Sequence, residues 1–221
     1  MTKKLFNRFV FALLFVLAIS SELAQAKTKI LMMIPNDFMW PEYSEPKALY
    51  EKAGYTVVTA GKYREEVQPD RRNKADYPNS GAVKVDMSFE EVKVDEFDAI
   101  TFVAGNGAWH DFFPNQSVHS IVSDAFKKNK VVGLLCASTG LLGLVENWDG
   151  QGKPIAAGKK VVGYFRVEGL LRTLGKVDYV AGGPKEPGVS VDGNLVTGRN
   201  PESSTIFGQK IVEVVNSKQK K

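Results

Sequence analysis

The sequence predicts an α/β fold: a doubly wound, mostly parallel sheet with helices on both faces. Three observations lead there. Short apolar, β-branched runs alternate along the chain with segments of helical period. One run, Val131–Leu135 (VVGLL), is apolar on both faces, as a strand enclosed between two helical layers must be. The length is 221 residues, 43% hydrophobic and 24% charged, which suits one domain with a sizeable core. That composition excludes wholesale disorder, a collagen-like chain and a polytopic membrane protein.

The N-terminus reads as a secretory signal peptide. Lys3, Lys4 and Arg8 precede an apolar run from Phe9 to Ile19, and Ala24-Gln25-Ala26 supplies an A-x-A cleavage site. The run is too short for a permanent membrane-spanning helix, so cleavage after Ala26 and a periplasmic or secreted domain over 27–221 are expected, with no stable membrane anchor. Net charge is +4, but three of the basic residues sit in this leader, so the remainder is close to neutral. A near-neutral chain gives no support to nucleic-acid binding. Lys218-Gln219-Lys220-Lys221 reads as a solvated tail. The chain has one cysteine, Cys136, so an internal disulfide is impossible and the fold must stand on its core.

The elements follow in order. Lys29–Pro35 (KILMMIP) is a buried strand. Ser44–Ala53 is a helix with Pro46 near its start and Gly54 as its stop. Thr56–Ala60 is a second strand. Residues 62–97 are irregular, with a short strand at Ala82–Asp86 and an exposed loop at Asp70-Arg71-Arg72-Asn73-Lys74. Ala99–Val103 is a strand ending at Gly105. Val118, Ile121, Val122, Ala125 and Phe126 lie on one helix face. The strand Val131–Leu135 ends at Cys136, and Ser138–Val145 is helical. Then come a strand at Lys160–Tyr164, a helix around Val167–Leu174, and strands at Val177–Ala181 and Val189–Val191. Asp192-Gly193-Asn194 is a turn. Asn200-Pro201-Glu202 opens a last helix, whose buried stripe is Phe207, Ile211, Val214 and Val215.

In open α/β sheets ligands bind outside the carboxyl ends of the strands. Three segments carry polar or reactive groups to that edge: Asn36–Glu42, Gly105-Asn106-Gly107 and Cys136–Gly140. Cys136 stands at a strand-to-helix turn, where a side chain is held up on a sharp bend and faces free helix N–H groups, the logic of a nucleophile elbow. The usual flanking glycines are absent, since Leu134 and Ser138 occupy their places. From the pattern alone, an inert buried cysteine is the simpler reading, because free cysteine is among the most buried residue types.

Val131–Gly140 (VVGLLCASTG), the Gly105-Asn106 turn, Asp37–Pro46 (DFMWPEYSEP) and the closing Val191–Val215 segment, in this order, resemble the ThiJ/PfpI superfamily, also called the DJ-one superfamily. The resemblance covers nearly all of the chain after the leader. It implies a flavodoxin-like sandwich with a reactive cysteine at the elbow, which is Cys136. It also implies a glutamate that hydrogen-bonds to the sulfur, which is Glu42, and a turn whose N–H groups form an oxyanion pocket, which is Gly105-Asn106. Ala137 stands where protease-like and many glyoxalase-like members carry histidine. Tyr164 stands where the DJ-one branch can bring one. His110 is a further candidate base. Homodimers are common in the family.

The resemblance implies several activities. One is a cysteine-dependent enzyme acting on small reactive carbonyls, glyoxalase- or deglycase-like, with Cys136 attacking carbon and Glu42 relaying a proton. Backbone N–H groups near Gly105, Asn106 and Ala137 would stabilise the oxyanion. Another is a redox-responsive or chaperone-like binding protein whose cysteine is oxidised without turnover. Peptidase-like hydrolysis comes third. The small-molecule partner is a carbonyl compound or an unknown ligand. Desolvation and a nearby thiolate are expected to raise the Glu42 pKa. A thiol beside a helix N-terminus and a protonated carboxyl is expected to ionise below the free value of about 8.5.

Other patterns fall short. Gly105-x-Gly107 lacks the third glycine of a dinucleotide fingerprint. Gly152 to Gly158-Lys159 has the wrong spacing for a phosphate loop, and Lys160 replaces its Ser/Thr. His110, His119 and Cys136 have no zinc spacing, so no metal or other cofactor is expected. His119 falls on a helix and reads as structural. Trp40, Trp109 and Phe112 read as core or pocket wall.

Overall fold

The computed structural model describes residues 27–147 and 152–220. The expected signal peptide therefore lies outside the described residues. Seven strands form the main sheet: β1 (Lys29–Met33), β2 (Thr56–Gly61), β3 (Met87–Ser88), β4 (Ala99–Phe102), β5 (Val131–Leu135), β6 (Val189–Asp192) and β7 (Leu195–Gly198). Their spatial order is β6-β7-β5-β4-β1-β2-β3, and every neighbouring pair is parallel except β6–β7. β4 and β5 are buried at every residue, which explains why their sequences carry no polar alternation.

Three longer helices clothe the sheet: α1 (Trp40–Lys52), α2 (Gln116–Lys127) and α3 (Ser204–Gln219). Asn115 caps α2, its side chain accepting from the N–H groups of Ser117 and Val118 at 3.0 and 3.3 Å. α3 lies on β5 over Gly133, where a Cβ would come within 2.6 Å of Ile211 and 2.8 Å of Phe207. The core strands thus follow the flavodoxin-like order, and the chain moves to opposite sides of the sheet after β1 and after β4. That reversal opens a crevice at the carboxyl ends of β1 and β4, beside that of β5.

Several expectations need correction. α1 starts at Trp40, before the expected Ser44, with Pro41 in its first turn and Pro46 inside it. Met39 offers no side-chain cap; instead the Trp40 N–H donates to Asn73 Oδ1 at 2.9 Å, a partner that local sequence cannot reveal. The helical stretch after β5 begins earlier, as a 3₁₀ turn over Cys136–Gly140 followed by a short α-helix over Leu141–Leu144. The expected strands at 160–164 and 177–181 shrink to Lys160–Val161 and Asp178–Tyr179, which pair with each other outside the main sheet. The segment 82–86 contributes only Val83–Lys84, paired with Glu66–Val67. β7 was not expected, yet it occupies an interior place beside β5. The Gly193-Asn194 turn reverses the chain so that β6 and β7 form a hairpin.

Candidate active site

The turn after β5 is held by its own side chains. Cys136 has φ +57°, a left-handed conformation that a non-glycine residue adopts only when its surroundings enforce it. Ser138, standing where an elbow glycine is usual, does part of that. Its Oγ accepts from the Leu135 N–H at 3.0 Å and lies 2.7 Å from the Leu135 carbonyl and 3.1 Å from that of Phe102. Thr139 Oγ1 donates to the Cys136 carbonyl at 2.6 Å. The thiol is thereby fixed at the strand end and almost wholly buried.

Glu42 reaches it from the first turn of α1. Its Oε2 accepts from the Ala104 N–H at 2.9 Å, whereas Oε1 is buried with no well-formed hydrogen bond. The proximity of the Cys136 thiol acts on the ionisation of this carboxyl. Burial pushes the Glu42 pKa up to about 8, against the opposing pull of the Ala104 N–H and the thiol, while Glu202 adds a smaller upward push. The expected rise at Glu42 is therefore present, with desolvation as its main cause.

The expectation of a thiol that ionises below its free value is overturned. Burial pushes the Cys136 pKa up, and the charge and hydrogen bond of Glu42 push the same way; the Ala137 N–H offsets only part of this. A short 3₁₀ turn supplies too little dipole to outweigh desolvation.

The glycine turn is placed by contact with the chain after β1. Gly105 has φ +127°, and a Cβ there would lie 2.3 Å from the Asp37 carbonyl oxygen. At Gly107 a Cβ would fall 1.6 Å from the Asn36 carbonyl oxygen. Only glycine allows these backbones to lie so close. The Met39 N–H donates to the Ala104 carbonyl at 2.8 Å, closing the crevice between the two loops.

A cavity of about 230 Å³ opens over this floor and is lined by Gly105, Asn106, Cys136, Ala137 and Tyr164. The fold thus brings these predicted residues together, with Glu42 behind the thiol. Tyr164 is tied to the elbow, since its N–H donates to the Cys136 carbonyl at 3.4 Å. His110 is a correction. It is 53% exposed, lies 3.8 Å from Asp37 and 3.6 Å from Asp111, and does not line the cavity. The turn after Gly107 carries its ring outward, so it is not positioned as a base for Cys136. His119 sits in α2 with Nε2 2.8 Å from the Phe113 carbonyl. Among the described residues no three metal-binding side chains cluster, and no helix is long and apolar enough to cross a membrane.

Sequence reasoning missed much of the remaining wall, which includes Arg72, Asn73, Asp76, Tyr77, Arg166 and Pro201. The 70–74 loop was expected to be exposed, yet Asp70 and Asn73 are buried. Asn73 donates to the Asp70 carbonyl at 2.7 Å while its Oδ1 holds the start of α1. An asparagine and an aspartate flanking two arginines were the available signal, since both are loop-anchoring types.

The model for the DJ-1/PfpI family matches residues 28–214. An uncharacterized protein of Methanocaldococcus jannaschii is 28% identical over 190 residues, covering 85% of this chain and 82% of its own. Among solved structures, a ThiJ/PfpI domain protein from Brachyspira murdochii has a TM-score of 0.72 at 24% identity, over 87% of this chain and 99% of its own. Glyoxalase III from Candida albicans has a TM-score of 0.68 at 18% identity, over 85% and 97%. At these identities the two solved structures speak for the fold.

Proposed function

We propose, from the premise that this chain belongs to the DJ-1/PfpI family, that Cys136 is a nucleophile toward small reactive carbonyl compounds, in chemistry of the glyoxalase or deglycase kind. The observation that carries this reading is the buried Glu42–Cys136 pair beneath a 230 Å³ cavity, with the Glu42 pKa raised to about 8. A carboxyl poised there gives and takes a proton near neutral pH. The structural likeness to a glyoxalase III is a second support.

With a 2-oxoaldehyde, the Cys136 sulfur bonds to the aldehyde carbon. The carbonyl π pair becomes an alkoxide, which receives the thiol proton through Glu42. The carboxylate then removes the hydrogen on that carbon, and the proton is delivered to the neighbouring carbon through an enediol. This leaves the thioester of a 2-hydroxy acid. Water cleaves the thioester and restores the thiol, so the net change is isomerisation plus addition of one water. The backbones of Gly105, Asn106 and Ala137 line the space where the alkoxide forms.

A second reading has its own observation: among the described residues no histidine lines the cavity, and burial holds the thiol proton. It makes Cys136 a redox-responsive or binding-site residue without turnover. Lactate formation from methylglyoxal, compared between wild type and Cys136→Ala, separates the two. Cysteine-dependent turnover selects the enzyme. Its absence in folded wild-type protein selects the sensor or binding role. Homodimer formation belongs to the same proposal and is read by sedimentation.

A further inference from the structure

The cavity is much larger than a three-carbon 2-oxoaldehyde requires. Its volume is about 230 Å³, whereas a cavity needs only about 10–15 Å³ to hold one water. The surplus space is lined by charge of both signs. Arg72 and Arg166 both line it, and Asp76 is the one acid among its lining residues.

Arg72 is held by hydrogen bonds although its side chain is 69% exposed. Its Nε donates to both oxygens of the buried Asp70 at 3.0 and 3.1 Å, and Asn106 Nδ2, from the glycine turn, donates to the same carboxylate at 3.1 Å. A guanidinium has five N–H donors, and this pairing uses Nε and Nη2. Nη1 therefore has no protein acceptor among the described residues. The Arg166 guanidinium lies 5.6 Å from the Phe165 ring centroid and pairs with no acid among the described residues. Two guanidinium groups with spare donors, sharing one cavity with a cysteine, suit a planar or tetrahedral oxyanion.

We propose that the substrate is an anionic carbonyl compound whose carboxylate or phosphate is held by Arg72 and Arg166 while its carbonyl carbon meets Cys136. The inference rests on the reading of Cys136 as the reactive group. Asp76 opposes the anion and tempers the preference.

Paired alkylation tests this without requiring turnover. Iodoacetate and iodoacetamide react alike: the S–C bond forms, iodide leaves with the C–I electron pair, and the thiol proton goes to solvent. They differ in charge. The chain has one cysteine, so the mass gain reports Cys136 alone. The ratio of the iodoacetate rate to the iodoacetamide rate is expected to fall about three- to ten-fold in Arg166→Ala and in Arg72→Ala. Arg166→Lys is expected to restore part of it, and Asp76→Asn to raise it. An unchanged ratio across these variants overturns the proposal.

A native thiol that reacts with neither reagent would instead defeat the nucleophile reading. The anion site is then read by melting temperature in methyl phosphate and in glycolate. Stabilisation of wild type that is lost in Arg166→Ala supports the site, and the more effective of the two ligands identifies its anion as phosphate or carboxylate. No stabilisation by either overturns it.

Discussion

The carboxyl of Glu42, in the first turn of α1, and the thiol of Cys136, at the end of β5, are buried against each other, and each shifts the other's ionisation. Neither can ionise without placing charge in a desolvated site already influenced by Glu202. Their pairing sets the pH behaviour of both the fold and the thiol.

Stability should fall as pH rises through the Glu42 window. Its ordinary value is 4.5 and its folded value about 8, so between them the folded protein binds more protons than the unfolded chain. The contribution is complete below the lower value and is lost as pH climbs through the upper one, with a slope of at most about 1.4 kcal/mol per pH unit. Glu42→Gln removes this slope. Urea denaturation of both proteins across that range checks it.

Peroxide should oxidise Cys136 faster as pH rises, because burial and Glu42 suppress the thiolate. With one cysteine in the chain, the sulfenate has no internal thiol to trap it, and a second peroxide carries it to sulfinate. Glu42→Ala should alter the rate more than Glu42→Gln, which keeps a donor beside the sulfur. Peptide mass spectrometry should find two added oxygens at Cys136. A cysteine modified only after denaturation contradicts both functional readings.

The left-handed elbow has a cost that glycine escapes. With the sulfur absent in both variants, Cys136→Gly should be more stable than Cys136→Ala by about 1 kcal/mol. Chemical denaturation of the two measures the difference directly.

Gly105→Ala should cost about 3 kcal/mol or more, because its Cβ would meet the Asp37 carbonyl oxygen at 2.3 Å in a backbone with φ +127°. Gly193→Ala should cost only about 1 kcal/mol: it also has positive φ, +62°, but no atom lies within 4 Å of the added Cβ. Thermal melts of the pair separate conformational strain from collision.

Protein recovered from the periplasm should begin at Lys27. N-terminal sequencing tests cleavage after Ala26, and an intact Met1 chain held in the membrane refutes it.

The strands legible in the sequence were those whose apolar character is unbroken, such as Val131–Leu135. β7 escaped notice because Leu195–Gly198 is short and mixes Thr197 and Gly198 with two apolar residues. Its burial comes from β5 and α3, not from its own composition. The segments at 160–164 and 177–181 misled in the opposite sense, since apolar content does not reveal how few residues will pair. At the site, Cys136, Glu42 and the glycine turn were legible through family resemblance. Arg72, Asp76 and Arg166 meet only through the fold, from loops whose charges look like ordinary surface. His110 failed because proximity along the chain to Gly105 says nothing about the direction of its ring.

The hairpin that supplies β7 has a consequence for the nascent chain. β5 is synthesised well before the neighbour that closes its side, since Val132–Leu135 pairs with Leu195–Gly198. Until that late segment arrives, VVGLL is an open edge, apolar and ready to join any strand it meets. The cysteine at its tip cannot acquire its final surroundings earlier, because α3 follows that hairpin and must settle over Gly133 through Phe207 and Ile211. Order of synthesis and order of assembly therefore diverge. A chain stopped short of the hairpin is exposed to aggregation at the strand on which its chemistry depends.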